Sequence, residues 1–215
     1  MDPFPDLIRY PGLIYEVLIS TKNVRILKNE DCPYNIAPMG ITFKTKKEFV
    51  IEPYKTSRTW ENLQNEENFG INFTHDASMF YKCVYEKENF VKEDFLMTSK
   101  SGIPTLNPEI YESIQVRLIA KKLQEIPTEG ARAQFKCVLD TWEYPRWMFE
   151  PLCRANNLAL EAIVHSTRIK IIKDPKKREK LLELINTNHE FIEKTARNSI
   201  YNEIMNKLKI KIKEF

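Results

Sequence analysis

Arg58, Thr59 and Asn62 set a guanidinium, a hydroxyl and a side-chain amide close together in sequence. A helix beginning there would add the free N–H groups of its first turn and the positive end of its dipole. Donors that converge in this way suit a phosphate, which needs several of them at one point. The T-x-x-N spacing is short and common, and a helix cap with surface polar residues explains it equally well. A second oddity lies upstream, in DCPYNIAPMGITFK, residues 31–44. Asn35, Ala37 and Pro38 interrupt a run of alternating, strand-like residues. Proline has no N–H to lose from a sheet ladder, so a strand bent there frees main-chain groups to face something other than a neighbouring strand. A plain loop is the other account.

A third constellation is Arg154, Asn157, Glu161, His165 and Arg168. Steps of three and four residues put them in one row on a helix. Leu158, Leu160, Ala162, Ile163, Val164 and Ile169 flank the row, which makes it narrower than an ordinary polar face. Two readings stay open. Glu161 neutralises Arg154 or Arg168 in an interhelical ion-pair network. Alternatively Glu161, His165 and Arg168 line a pocket, with His165 as proton donor and an Arg meeting a substrate anion. His75 and His189 complete a set of three histidines with no metal-binding spacing, so no metal site is expected. Cys32, Cys83, Cys137 and Cys153 lie far apart and form no C-x-x-C, which suggests small apolar residues rather than zinc ligands or a disulfide framework. Glycine-rich phosphate loops, dinucleotide fingerprints and nucleophile elbows are missing from the sequence.

The elements that must hold these groups divide at Pro145. Before it, 15–21, 36–44, 48–54 and 70–74 read as strands, with a hairpin between the second and third. Residues 112–127 and 131–144 read as an antiparallel pair turning at Gly130. Short helices are expected at 57–69, capped by Thr59, and at 76–86, capped by Asp76. Residues 87–112 read mostly as loop. After Pro145 the period becomes helical: 150–172, 175–195 and 197–210, with Asp174 and Pro175 marking a start. The expected class is α+β: an antiparallel barrel of about six strands over 1–148, then a helical extension over 149–215. The aromatics Trp142, Tyr144, Trp147 and Phe149 sit at the junction and suggest core or subunit contact.

Charged residues make up 29% of the chain and the net charge is +3, a balance that does not point to nucleic acid. The local excess KLKIKIKEF at 207–215 reads as a solvated tail or packing face, with a binding role as the alternative, and neither a membrane nor nucleic acid is expected as a partner. The longest apolar run is too short to span a membrane, and the N-terminal residues do not resemble a secretory signal. The expected compartment is the cytoplasm.

NIAPMGI, SRTWENLQNEENFGINFT, EVLISTKN, NFTHDASMFY and RANNLALEAIVHSTR, in this order, resemble the flavin-reductase-like FMN-binding split-barrel superfamily. The likeness covers most of residues 13–172. It is nearest to a DUF447-like group of uncharacterised archaeal proteins with a helical C-terminal extension. The resemblance implies a homodimer with FMN at the subunit interface. It places Thr59 and Asn62, with Arg58 beside them, on the FMN phosphate. It sets Asn35, Ala37 and Pro38 along the ribityl chain and the ring edge, and Asn72, Thr74 and Asp76 at the end of the following strand. It further implies flavin-dependent transfer of electrons or hydride, with NAD(P)H or another small redox partner docking on the flavin; His165 is the candidate catalytic group or flavin contact only from its place in the helical row. Many flavin reductases carry a His-containing stretch for the nicotinamide, and residues 80–145 hold no His. An FMN carrier or sensor, or an interaction protein that keeps the barrel without turnover, is the alternative.

Overall fold

The computed structural model describes residues 11–25, 32–98, 102–145, 151–169 and 171–213, without the side chains of 142–145. It divides into two units, one built on Tyr15–Leu152 and the other on Cys153–Phe215 with Gly12–Ile14.

Six antiparallel strands close a barrel in the order β1-β2-β3-β8-β7-β4. They are β1 (Ile14–Lys22), β2 (Tyr34–Phe43), β3 (Glu48–Ile51), β4 (Asn68–Phe73), β7 (Val116–Ile126) and β8 (Gln134–Pro145). Closure leaves no long free edge. Alternation aims Phe43, Phe49, Phe69 and Phe135 inward, where all are fully buried. Ring pairs at 5.3 Å (Phe43–Phe49) and 6.3 Å (Phe49–Phe69) fill the lumen.

Two helices flank the strands: α1 (Arg58–Asn65) between β3 and β4, and α2 (Ala77–Tyr85) after β4. A second apolar cluster joins Leu18 of β1 and Ile36 of β2 to Met79 and Cys83 of α2 and to Phe90, Phe95 and Leu106. β1 is therefore buried on both faces, as the unbroken burial of Val17, Leu18, Ile19, Ser20 and Thr21 shows.

The segment read as loop, 87–112, contains 3-10 turns at Lys87–Asn89 and Lys92–Asp94 and a hairpin of β5 (Phe95–Met97) and β6 (Pro104–Leu106). Three-residue strands with a proline give little local signal. The hairpin is held from outside: Ser20 Oγ donates to Pro104 O at 2.6 Å, and Leu106 N donates to Asn72 Oδ1 at 2.8 Å. Gly70 permits this approach, because a Cβ there would collide with Pro104 O and Ser20 Oγ.

The second unit is α3 (Arg154–Ile169), α4 (Pro175–Thr195) and α5 (Ile200–Ile212). Ala155, Ala159, Ala162, Ser166 and Ile169 form the buried face of α3. Asp174 caps α4, accepting from Lys176 N at 3.0 Å, with Pro175 at its first position. Trp147 and Phe149 lie outside the described residues, as do the side chains of Trp142 and Tyr144.

Candidate functional site

β2 outruns β3. The pairing of the two strands covers Ile41–Phe43 only, against Phe49–Ile51, so 34–40 has no described partner in β3. Ala37, Pro38, Met39 and Gly40 are half-buried in this stretch beyond the β3 pairing. A strand carrying proline tolerates that position, since its missing N–H takes nothing from a ladder.

Next to this stretch lies a buried polar cluster. Asn35, Thr21, Thr59 and Asn62 are each at most 2% exposed. Side-chain parity puts Asn35 with Ile41 and Phe43, and Thr21 with Val17 and Ile19, on the barrel's inner side. Asn35 Nδ2 donates to Thr59 Oγ1 at 3.1 Å and to Thr21 Oγ1 at 3.3 Å. Asn62 Nδ2 donates to Thr21 Oγ1 at 2.8 Å and to Asn23 Oδ1 at 3.3 Å, and its Oδ1 accepts from Val24 N at 3.1 Å. The amide of Asn62 thus has both donors engaged within the chain. Lys87 Nζ donates to Asn35 Oδ1 and brings a cation to the cluster.

Helix α1 starts two residues earlier than a Thr59 cap would give. Ser57 is the N-cap and accepts from Trp60 N at 3.2 Å. Thr59 therefore stands inside the first turn, and its hydroxyl proton and its N–H have no described acceptor. Both lie at the positive end of the helix. Arg58, half-buried, begins the helix.

Asn72, Thr74 and Asp76 lie further along, and each has an internal partner. Asn72 Nδ2 donates to Leu18 O at 3.0 Å and to Ser20 Oγ at 3.1 Å. Thr74 Oγ1 accepts from Asp76 N at 3.0 Å. Asp76 caps α2 by accepting from Ser78 N at 2.9 Å, and hydrogen bonds to Ser78 hold its carboxyl below the usual value. Beside this cap is a groove of about 630 Å³ lined by Asp76, Met79, Lys82, Tyr111 and Ser113. Lys82 Nζ donates to Tyr111 Oη at 2.8 Å. Burial, with the Asp94 carboxylate next, pushes the Tyr111 hydroxyl well above its usual value.

The row on α3 is not a buried one. Arg154, Asn157, Glu161 and Arg168 are exposed; His165 alone is buried, at 8%. Leu160 and Ile163, expected as flanks of a packed row, are exposed instead. The small residues Ala155, Ala159 and Ala162 let the neighbouring helices approach and take the packing face. Glu161 meets His165 at 3.4 Å, not an arginine, and Arg154 lies over the Phe191 ring at 5.3 Å.

Sequence reasoning missed Thr21 and Lys87. Thr21 belongs to an ordinary strand, and Lys87 follows α2 by two residues, so neither belongs to a local motif. Among the described residues no cluster of three or more metal-ligating side chains occurs. No described helix is long and apolar enough to cross a membrane.

The fold is a closed six-stranded antiparallel barrel flanked by two helices, and a unit of three helices follows it in the chain. Family models match both parts: the N-terminal domain of a protein family of unknown function, DUF447, over residues 15–144, and the family's C-terminal model over 153–210. The chain belongs to the DUF447 family. It is 29% identical over 174 residues to uncharacterized protein MJ1453 of Methanocaldococcus jannaschii, covering 77% of this chain and 82% of that one. It is similar in structure to the FMN-bound protein MM1853 of Methanosarcina mazei, a DUF447 protein, with a TM-score of 0.52 and 22% identity over 94% of this chain and 96% of that one.

Proposed function

We propose that this protein binds FMN along the part of β2 beyond its β3 pairing and works as a homodimeric flavoprotein that transfers electrons or hydride. The observation that carries the reading is the stretch of β2 running beyond its β3 pairing, beside the buried Asn35–Thr59 pair at the positive end of α1. The FMN described for MM1853, in the same family, supports it. The donor set suits a phosphate: the Thr59 hydroxyl and N–H at the helix start, with Arg58 and the Lys87 amine as cations. Asn35, held by Lys87 and Thr59, and the half-buried main chain at Ala37 and Pro38 would lie along the ribityl chain and ring. Asn62 and Thr21 have a different part. Their mutual hydrogen bond ties α1 to the end of β1. Asn72, Thr74 and Asp76 hold the β4 exit and the start of α2 that borders the site. When bound, the flavin would supply the redox chemistry, and the protein's part is to orient it and keep water away.

The test is the absorbance spectrum of the purified protein with and without added FMN, repeated for Thr59→Ala. A flavin band in the wild type that weakens in the variant supports the reading. Colourless protein that FMN neither colours nor stabilises against heat refutes it. Sedimentation of the loaded protein at twice the chain mass tests the dimer. Bleaching of the bound flavin by NADH or NADPH separates turnover from a carrier or sensor.

A further inference from the structure

Charge is unevenly shared along the chain. Residues 153–215 carry fourteen Lys and Arg against eight Asp and Glu, while the first 152 residues carry a small acidic excess. Within the helical unit the positive charge gathers at one end. Asn188 Nδ2 reaches Leu158 O at 3.2 Å, and His189 Nε2 meets Asn206 Oδ1 at 2.9 Å, so α4 runs antiparallel to both α3 and α5. The α3–α4 loop and the C-terminal half of α5 therefore point the same way along the bundle. Lys173, Lys176, Lys177 and Lys180 are exposed on the loop and the first turns of α4. Lys207, Lys209, Lys211 and Lys213 are exposed on α5. Among the described residues of these stretches the exposed acids are Asp174, Glu179 and Glu183.

Two isoleucines stand among the lysines. Ile171, in the loop, is 79% exposed, and Ile210 on α5 is 64% exposed. At about 100° per residue, Lys209 and Lys213 fall to one side of Ile210, and Lys207 and Lys211 to the other. An aliphatic residue ringed by lysines gains nothing from a nucleic-acid backbone. Single strands are gripped by aromatic stacking, and the described aromatics of this unit are Phe191, which is half-buried, and Tyr201, which is buried. A lysine carries a compact charge on a flexible stem, suited to a diffuse negative field rather than to the bidentate recognition arginine performs. An anionic bilayer offers both what the lysines need and what the isoleucines need: a negative surface, and an apolar boundary just below it.

We propose that this end of the helical unit docks on an anionic lipid surface, with the lysines against headgroup phosphates and Ile171 and Ile210 entering the interfacial layer. The test is flotation of the full chain with vesicles of phosphatidylcholine alone and of phosphatidylcholine mixed with phosphatidylglycerol, at low and at physiological salt. The protein should float with the anionic vesicles only, less so as salt rises. The triple variant Lys176→Glu, Lys177→Glu, Lys180→Glu should stay at the bottom. The pair Ile171→Ser and Ile210→Ser should weaken vesicle binding by about tenfold while leaving the melting temperature unchanged. Wild-type protein that ignores anionic vesicles at low salt overturns the proposal. So does duplex DNA that binds more tightly than the vesicles while the isoleucine pair changes neither affinity.

Discussion

Removing the amide of Asn62 separates a residue that shapes the site from one that would touch the ligand. Asn62→Ala deletes three hydrogen bonds, at 2.8, 3.1 and 3.3 Å, to Thr21, Val24 and Asn23. They are not equally costly. Val24 is 45% exposed, and its N–H can turn to water. The Thr21 hydroxyl is buried but still accepts from Asn35. At a net value of about 1 kcal/mol for the buried bond and less for the others, the loss is about 2 kcal/mol. With a urea dependence of about 2 kcal/mol per molar, the unfolding midpoint should fall by about 1 M. Urea titration followed by intrinsic fluorescence measures this, with Trp60 on α1 reporting from beside the cluster. The same variant, while folded, should still prefer FMN to riboflavin by the wild-type ratio, because the amide has no donor left for a phosphate. A midpoint within about 0.2 M of wild type would refute the structural part. A lost preference for FMN with stability intact would show that the amide serves the phosphate directly.

Lys87→Met should differ: FMN affinity falls about tenfold or more while riboflavin affinity stays, by flavin fluorescence titration, and stability falls by about 1–3 kcal/mol because the buried Asn35 Oδ1 loses its donor. Burial pushes the thiols of Cys83 and Cys137 up to about 12. The unfolded chain therefore releases these protons first, and the stability they contribute is whole below about pH 8.5 and is lost as pH rises toward 12. Thermal unfolding from pH 8 to 11 should show a decline that Cys83→Ala and Cys137→Ala each make shallower; identical slopes would contradict the burial argument. Gly70→Ala should destabilise by about 1–3 kcal/mol, since its new Cβ strikes the Pro104 carbonyl and Ser20 Oγ; an unchanged melting temperature would mean the β5–β6 hairpin yields freely.

Strong local patterns were legible from residues alone. Alternation in β2 and β3, the turn at Gly130 and the Asp174–Pro175 start each mark an element at its own position. The β5–β6 hairpin was not legible, because its stability comes from Ser20 and Asn72, tens of residues away. The cap of α1 was misplaced because Ser57 and Thr59 both have capping hydroxyls, and only geometry shows which one meets Trp60 N. The α3 row misled for a related reason. The row's flanks include Leu160, yet the small face of Ala155, Ala159 and Ala162 packs and Leu160 is left in solvent. Asn35, Thr59 and Asn62 could be named from sequence, whereas their hydrogen bonds, Thr21 as hub and Lys87 as cation are matters of tertiary contact.

The most direct measurement is a crystal structure of the protein grown with excess FMN. The account predicts the phosphate within hydrogen-bonding distance of Thr59 Oγ and Lys87 Nζ, with the ring along Ala37 and Pro38. A flavin ordered elsewhere, or the α1–β2 corner empty at saturating FMN, would contradict it.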